Sequence, residues 1–255
     1  MSSIVTMNIE NIEVNFDVQR EYARRWIGSK IKNGIHEPAL VKALLKTFKG
    51  LEEEFCFFDI GANLGFFSSI LAAAGVKEIH TFELNEFLIP MIEANLKLNN
   101  WNQTKTYINH CGVADKNRLG YYSLNELRYA ITKLNYSKEE SDIYSLPVNV
   151  LSIDDYLSNK DIKNIIMKID VEGAESHVLL GMKQLLSSNK RVKVFIEIHP
   201  RFLLQQNINI EDTFDYLQTL GLKLSIFNHK GEQFSMEPIN SCPNIDSIYM
   251  LYIEN

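Results

Sequence analysis

Apolar and polar positions alternate near the start of the chain, through Ile9, Ile12, Val14 and Phe16, which predicts a short hairpin. The period then becomes helical over residues 22–31 and again, after Asn33-Gly34, over 38–48. Pro38 suits a first helical turn, where its missing N–H is not needed. From Phe55 strand and helix patterns take turns. Residues 55–60 form an apolar run ended by glycine, as expected of a strand covered on both faces. A helix over 64–74, a strand over 78–83, a helix over 86–98 and a short strand over 105–109 follow. A fourth strand is predicted over 165–170, a helix over 174–186 and a fifth strand over 192–198. A helix over 211–220, closed by Gly221, precedes two runs, 223–227 and 247–253, that read as a terminal strand pair.

Strands alternating with helices imply a mostly parallel sheet with right-handed crossovers, so the fold class is α/β. No repeat, low-complexity tract or Pro/Gly-rich linker interrupts the chain. Residues 1–50 are assigned to an N-terminal hairpin and helical extension, and 51–255 to the domain carrying the sheet. The polar, tyrosine-rich segment 121–147 breaks the rhythm and is assigned to an insertion or small hairpin. Ligands of such sheets sit beyond the carboxyl ends of the strands, which directs attention to the residues following each one.

Composition narrows the function classes. With 45% hydrophobic and 23% charged residues, the chain has the make-up of a compact soluble protein. Its net charge of -6 and scattered Lys and Arg give no electrostatic footprint for nucleic acid. Cys56, Cys111 and Cys242 are far apart and form no Cys-x-x-Cys pair, so three reduced thiols are expected. The start lacks the features of a signal peptide, and no apolar run approaches the roughly 20 residues of a membrane helix. A cytoplasmic protein without a membrane span is expected.

The strand ends read Asp59-Ile-Gly61-Ala-Asn63-Leu-Gly65, then Glu83, then Asp170, then Glu197-Ile-His199. Gly61 permits a sharp exit from the first core strand, and Asn63 tolerates a left-handed backbone. Gly65 is expected to keep the surface clear for a ligand. Glu83 closes the second core strand about 20 residues on, where an acid can bind two ribose hydroxyls. A dinucleotide turn would need glycine at positions 63 and 66, where this chain has Asn63 and Phe66. A turn without a pyrophosphate cradle points to a sulfonium cofactor, S-adenosylmethionine (SAM). The alternatives are a nicotinamide oxidoreductase and a tight turn in an unrelated α/β protein.

Three further segments share a family pattern: Phe82-Glu83, Met167-Lys-Ile-Asp-Val-Glu-Gly-Ala-Glu175 and Ile196-Glu-Ile-His199. Together with Phe58-Asp-Ile-Gly-Ala-Asn-Leu-Gly-Phe-Phe-Ser68, they resemble the FkbM-type methyltransferases over residues 55–200. Leu151-Ser-Ile-Asp154-Asp also looks like the family's stretch ahead of the fourth strand. The resemblance implies the class I SAM-methyltransferase Rossmann-like fold, with seven mostly parallel strands and an antiparallel last strand. It further implies methyl transfer from SAM to a hydroxyl of a sugar, glycan precursor or secondary metabolite.

For such chemistry Asp170 is the carboxylate expected beside the transferred methyl, to orient the acceptor, act as base or hold a metal; the alternative is a helix N-cap. His199 is a natural general base, with Glu197 on the same strand face, although a lone histidine is often structural. Asp170, Glu197 and His199 together form a ligand set for a divalent cation such as magnesium. Asp115 is a candidate for the adenine amine, or a turn acid. Glu37 is a candidate for the methionine end of SAM, or a helix acid. Tyr121, Tyr122, Tyr129, Tyr136 and Tyr144 could stack on a sugar, or serve as packing and surface residues. The segment Ile169-Asp-Val-Glu-Gly173 lacks the Pro-Pro-aromatic motif of base-amine methylation, and no cysteine stands there for cytosine C5 chemistry. A small-molecule or glycan hydroxyl remains as acceptor. The rival classes are the nicotinamide enzyme and a non-catalytic scaffold of the same fold.

Overall fold

The alternating start folds as an antiparallel hairpin, β1 (Ile4–Ile9) and β2 (Ile12–Asp17). Glu10 and Asn11 are both left-handed at its two-residue turn, the geometry whose twist matches the strands. The computed structural model of this chain describes residues 3–33, 35–51, 53–99, 103–123, 134–135, 145–230, 233–243 and 247–255.

After α1 (Glu21–Asn33) and α2 (Pro38–Lys49) come β3 (Cys56–Ile60), α3 (Phe66–Ala73), β4 (Glu78–Glu83), α4 (Ile89–Leu98) and β5 (Lys105–His110). The segment assigned to an insertion contributes to a separate sheet of β6 (Gly112–Val113), β7 (Arg118–Ser123), β8 (Leu134–Asn135) and β9 (Ser145–Leu151), in order β6-β9-β7-β8. The chain then runs through α5 (Ile153–Leu157), β10 (Asn164–Ile169), α6 (Glu175–Leu180), α7 (Lys183–Leu186) and β11 (Arg191–Ile198). It ends with α8 (Pro200–Gln205), α9 (Ile210–Thr219), β12 (Lys223–Lys230), β13 (Gln233–Pro238) and β14 (Tyr249–Glu254).

The large sheet has the order β13-β12-β14-β11-β10-β3-β4-β5. Strands β5, β4, β3, β10 and β11 pair in parallel, and the last strand, β14, inserts antiparallel between β11 and β12. This is the expected α/β class with its antiparallel last strand. It carries one strand more than the seven expected, because β13 folds back on β12 at the edge. Only Phe234 and Met236 of β13 are half-buried against the core, too short an alternation to announce a strand.

Successive strand residues face opposite sides. Phe57, Ile79 and Ile166 join a core with α2, α3, α4 and the hairpin, while Phe58, Phe82 and Met167 join one with α6, α7 and α9. The hairpin is tied to α4 by side-chain amides. Asn95 and Asn99 accept hydrogen bonds from the Asp17 and Asn15 N–H groups at 2.8 and 2.9 Å. The helix expected over 174–186 breaks into α6 and α7. There the Gly181 carbonyl accepts the Asp154 N–H at 2.9 Å, and the Asp154 carboxylate accepts from Gln184 and Leu185 N–H at 2.8 and 2.9 Å. All three cysteines are free, and among the described residues no helix is long and apolar enough to cross a membrane.

Candidate functional site

The turn after β3 is tied to the end of β4. The Gly61 and Ala62 N–H groups both donate to the Phe82 carbonyl, at 2.9 and 3.1 Å. Gly61 has φ 77, and a Cβ there would stand 1.8 Å from the Asp170 carbonyl oxygen. Only glycine lets the ends of β3 and β10 approach this closely. Asn63 is left-handed, with φ 53, as its residue type suggests. Its N–H donates to Glu83 Oε2 at 2.8 Å, and its side-chain oxygen accepts from the Tyr22 hydroxyl at 3.0 Å. Gly65 caps α3 at φ 77, but a Cβ there would meet Ile92 at 3.3 Å. Its bare face therefore serves the contact with α4 and not the cleft.

Asp59 is fully buried and supports the turn from beneath. Its Oδ2 accepts from the Ser68 hydroxyl at 2.6 Å and the Ser68 N–H at 3.2 Å, which fixes the start of α3. Burial raises its carboxyl pKa against the pull of Lys168 and Ser68.

The cleft over the turn is lined by Gly61, Asn63, Glu83, Leu84, Leu88, Cys111, Gly112, Val113, Asp170, Val171 and Glu172, with Ile60 and Phe82 at its base. Three of these are acids and none is Lys or Arg. Burial lifts the Glu83 carboxyl to about 7, although the Asn85 and Asn63 N–H groups pull it down. Each Glu83 oxygen accepts one of those N–H groups, at 2.9 and 2.8 Å, and a carboxylate oxygen has a second lone pair to offer. Glu172 is left-handed, with φ 48, and its Oε2 is buried with no hydrogen-bond partner among the described residues. Burial first, then Asp170, raises its carboxyl to about 7. Asp115 lies outside this lining and pairs with Arg118, so the turn-acid alternative describes its contacts.

Beside the cleft lies a buried charge cluster. Lys168, on β10, is 4% exposed and donates to the Gly61 carbonyl at 3.2 Å and to Asp170 Oδ2 at 3.3 Å. Burial opposes its charge, but Asp170, Asp59, Glu37 and Glu197 together outweigh burial and hold its pKa above the ordinary lysine value. For Asp170, burial is likewise overcome, by Lys168, His199 and His36, and the pKa falls below the usual carboxylate value. Glu197 is pushed to about 7 by burial and then by Asp170 and Glu37. His199 Nδ1 lies 2.7 Å from Glu175 Oε1, and its Nε2 lies 3.8 Å from Glu197 Oε2. Burial works against its protonation, but Glu175, Asp170 and Glu197 raise its pKa overall. Asp170, Glu197 and His199 offer ligand atoms within 4.8 Å of one another.

The extension before β3 reaches this cluster. Glu37 feels Lys168, Asp170 and His199, and burial raises its pKa. It precedes α2 with φ 44 but makes no side-chain cap bond. His36, 3.1 Å from Glu37, is wedged against Trp26, Phe66 and Phe67, and burial lowers its pKa to about 3.

The structure thus brings Gly61, Asn63, Glu83, Glu37, Asp170, Glu197 and His199 together, with Asp59 and Gly65 as supports, and leaves Asp115 apart. Sequence reasoning missed Lys168, Glu175, Glu172 and Tyr22 as site residues. A lysine inside an apolar strand was the one available signal, since such a charge needs partners. Of the tyrosines, Tyr122 is fully buried with its hydroxyl accepting from Glu86 N–H at 3.2 Å, a packing role. Tyr121 is half-buried on β7. Tyr129, Tyr136 and Tyr144 lie outside the described residues.

No curated protein matches the chain significantly. Among solved structures, an FkbM methyltransferase from Methylobacillus flagellatus is similar at 15% identity and a TM-score of 0.49. That alignment covers 80% of this chain and 45% of the other, so the chain spans less than half of that relative's length. A TehB-like SAM-dependent methyltransferase from Corynebacterium glutamicum is similar at 12% identity and a TM-score of 0.47, covering 92% and 96% of the two chains. A SAM-dependent methyltransferase from Agrobacterium tumefaciens shows 8% identity and a TM-score of 0.48, covering 100% of this chain and 70% of the other. The family model described as the methyltransferase FkbM domain matches residues 59–224, well over half of the 255 residues. The chain belongs to the FkbM-type methyltransferase family.

Proposed function

We propose that the chain transfers a methyl group from SAM to a hydroxyl of a sugar, glycan precursor or secondary metabolite. One observation carries the proposal: the cleft over the first turn is lined by Glu83, Asp170 and Glu172, with no basic residue. A pyrophosphate would meet three carboxylates there, whereas a ligand with a sulfonium, an ammonium and a ribose diol meets acceptors. Glu83 takes the two ribose hydroxyls, the unpartnered Glu172 oxygen takes the methionine ammonium, and Glu37 supports that end. The backbone of Gly112 and Val113, which lines the cleft, takes the adenine edge, the task for which the sequence had offered Asp115.

When bound, SAM supplies a methyl carbon activated by a cationic sulfur. The protein's contribution is alignment, which in well-oriented reactions is worth up to about 7–11 kcal/mol, together with removal of the acceptor proton. Glu175 holds His199 by Nδ1, leaving Nε2 to accept the acceptor hydroxyl's hydrogen bond and then take its proton. Asp170 stays ionised beside Lys168 and stabilises the imidazolium that forms. A divalent cation such as magnesium would use Asp170, Glu197 and His199. The Lys168 ammonium already supplies a fixed positive charge against Asp170, so the proposed step is metal-independent. A scaffold without catalysis would not need this charge arrangement.

The test is transfer of radiolabelled methyl from SAM into fractionated metabolites and glycans, with Asp170→Asn as control. Label in a hydroxyl-bearing fraction, lost with the variant and indifferent to chelator, supports the proposal. Label on protein or nucleic acid alone would remove it.

A further inference from the structure

At the opposite end of the sheet, Cys56 opens β3 and Glu78 opens β4, and the parallel register sets them side by side. His80 follows two residues along β4, on the same face as Glu78. The thiol, carboxylate and imidazole ligand atoms lie within 4.8 Å of one another. Cys56 and Glu78 are half-buried and edge an open groove that Lys105, Tyr107 and Lys160 also line.

The imidazole is held in one orientation. In register across three strands, His80 stacks between Phe58 and Tyr107, with centroids at 4.4 and 4.5 Å. Its Nε2 faces Glu78 Oε1 at 2.9 Å, and its Nδ1 meets the Tyr156 hydroxyl at 2.7 Å. Metal-bound histidines regularly anchor the second ring nitrogen in this way.

We propose that Cys56, Glu78 and His80 form a binding site for a zinc-class divalent cation, with the fourth position open to the groove. Thiolate and imidazole select such ions over magnesium or calcium. Binding is balanced as follows. The Cys56 S–H bond breaks, its proton leaves to solvent, and the sulfur binds the metal. The imidazole proton shifts from Nε2 to Nδ1, where it is donated to the Tyr156 oxygen, and Nε2 binds the metal. One proton is released per cation. Lys105, 3.6 Å from Glu78 Oε2, and Lys160, over the Tyr156 ring, oppose the incoming charge. Thiolate formation is therefore indispensable.

The experiment is titration of the full chain with Co2+, read as thiolate-to-metal charge-transfer absorption, with Zn2+ as competitor. The expected result is one equivalent bound, a band lost in Cys56→Ser and kept in Cys111→Ser, and about one proton released per Zn2+. Tyr156→Phe, which removes the histidine's anchor and a long contact to Asn109, should weaken Zn2+ binding about 10–100-fold. A wild-type protein without the band, or a band that survives in folded Cys56→Ser, overturns the proposal.

Discussion

At their carboxyl ends β3, β4, β10 and β11 gather Asp59, Glu83, Lys168, Asp170, Glu197 and His199; at their amino ends β3 and β4 present Cys56, Glu78 and His80. The first end is built by loops in left-handed conformations, at Gly61, Asn63, Glu172 and Gly173, and by buried opposite charges. The second is built by strand register and by aromatic rings flanking a neutral imidazole. A non-glycine residue held left-handed, such as Glu172, costs about 1–3 kcal/mol. Asn63, Glu172 and Glu37 carry such strain around the cleft, and Glu10 and Asn11 carry it at the hairpin turn. Register alone suffices to set three ligands side by side.

The largest effect should come from the proposed base. His199→Gln is expected to lower kcat by about 10²–10⁴-fold while SAM binding survives. An unchanged kcat would reduce the carboxyl-end cluster to a structural feature. Next comes Lys168→Met, which leaves Asp170, Asp59, Glu37 and Glu197 facing one another without their buried ammonium. Breaking a buried pair should cost about 3–5 kcal/mol in urea unfolding. The exposed Lys105, at the amino end, should be replaceable by Met with little change in the unfolding midpoint. Similar losses for both lysines would erase the contrast between the ends.

Protonation gives a finer test. A base must be neutral, and the carboxylates around His199 raise its pKa. The kcat/KM profile should therefore rise with pH through a value above the ordinary histidine pKa of about 6.5. Glu172, at about 7, is largely protonated below that pH and ionised above it. S-adenosylhomocysteine carries the same methionine ammonium as SAM, so its affinity should grow across this range, by roughly tenfold at most, the equivalent of one pKa unit. A flat affinity would separate Glu172 from the ligand. Smallest is Tyr22→Phe, which removes the hydroxyl bonded to Asn63. It should weaken cofactor binding by about 0.5–1.5 kcal/mol in a calorimetric titration.

Much of the carboxyl end was legible in the sequence because its physics is local. Doubly covered strands read as apolar runs, and Gly61 and Asn63 announce the turn by residue type. The hairpin and the order of strands and helices were legible for the same reason. The unread features depend on partners distant in sequence. Asp154 breaks the helix expected over 174–186 from about 30 residues away. Glu175 looks like a first-turn acid of α6, yet its carboxylate orients His199. Tyr22 and His36 reach the site because Trp26 and His36 pack on Phe66 at the start of α3. Asp115, for which adenine contact and turn acid were both open, has its partner Arg118 only three residues on.

The most direct measurement is calorimetric titration of the purified chain with S-adenosylhomocysteine and with NAD, for wild type and Gly61→Ala. A Cβ at position 61 would collide with the Asp170 carbonyl, so the variant closes the approach on which the site depends. The account predicts that wild type binds the adenosyl compound and ignores NAD, and that Gly61→Ala binds it at least about tenfold more weakly, a loss of about 1.4 kcal/mol. Tight NAD binding with no affinity for the adenosyl compound would contradict it.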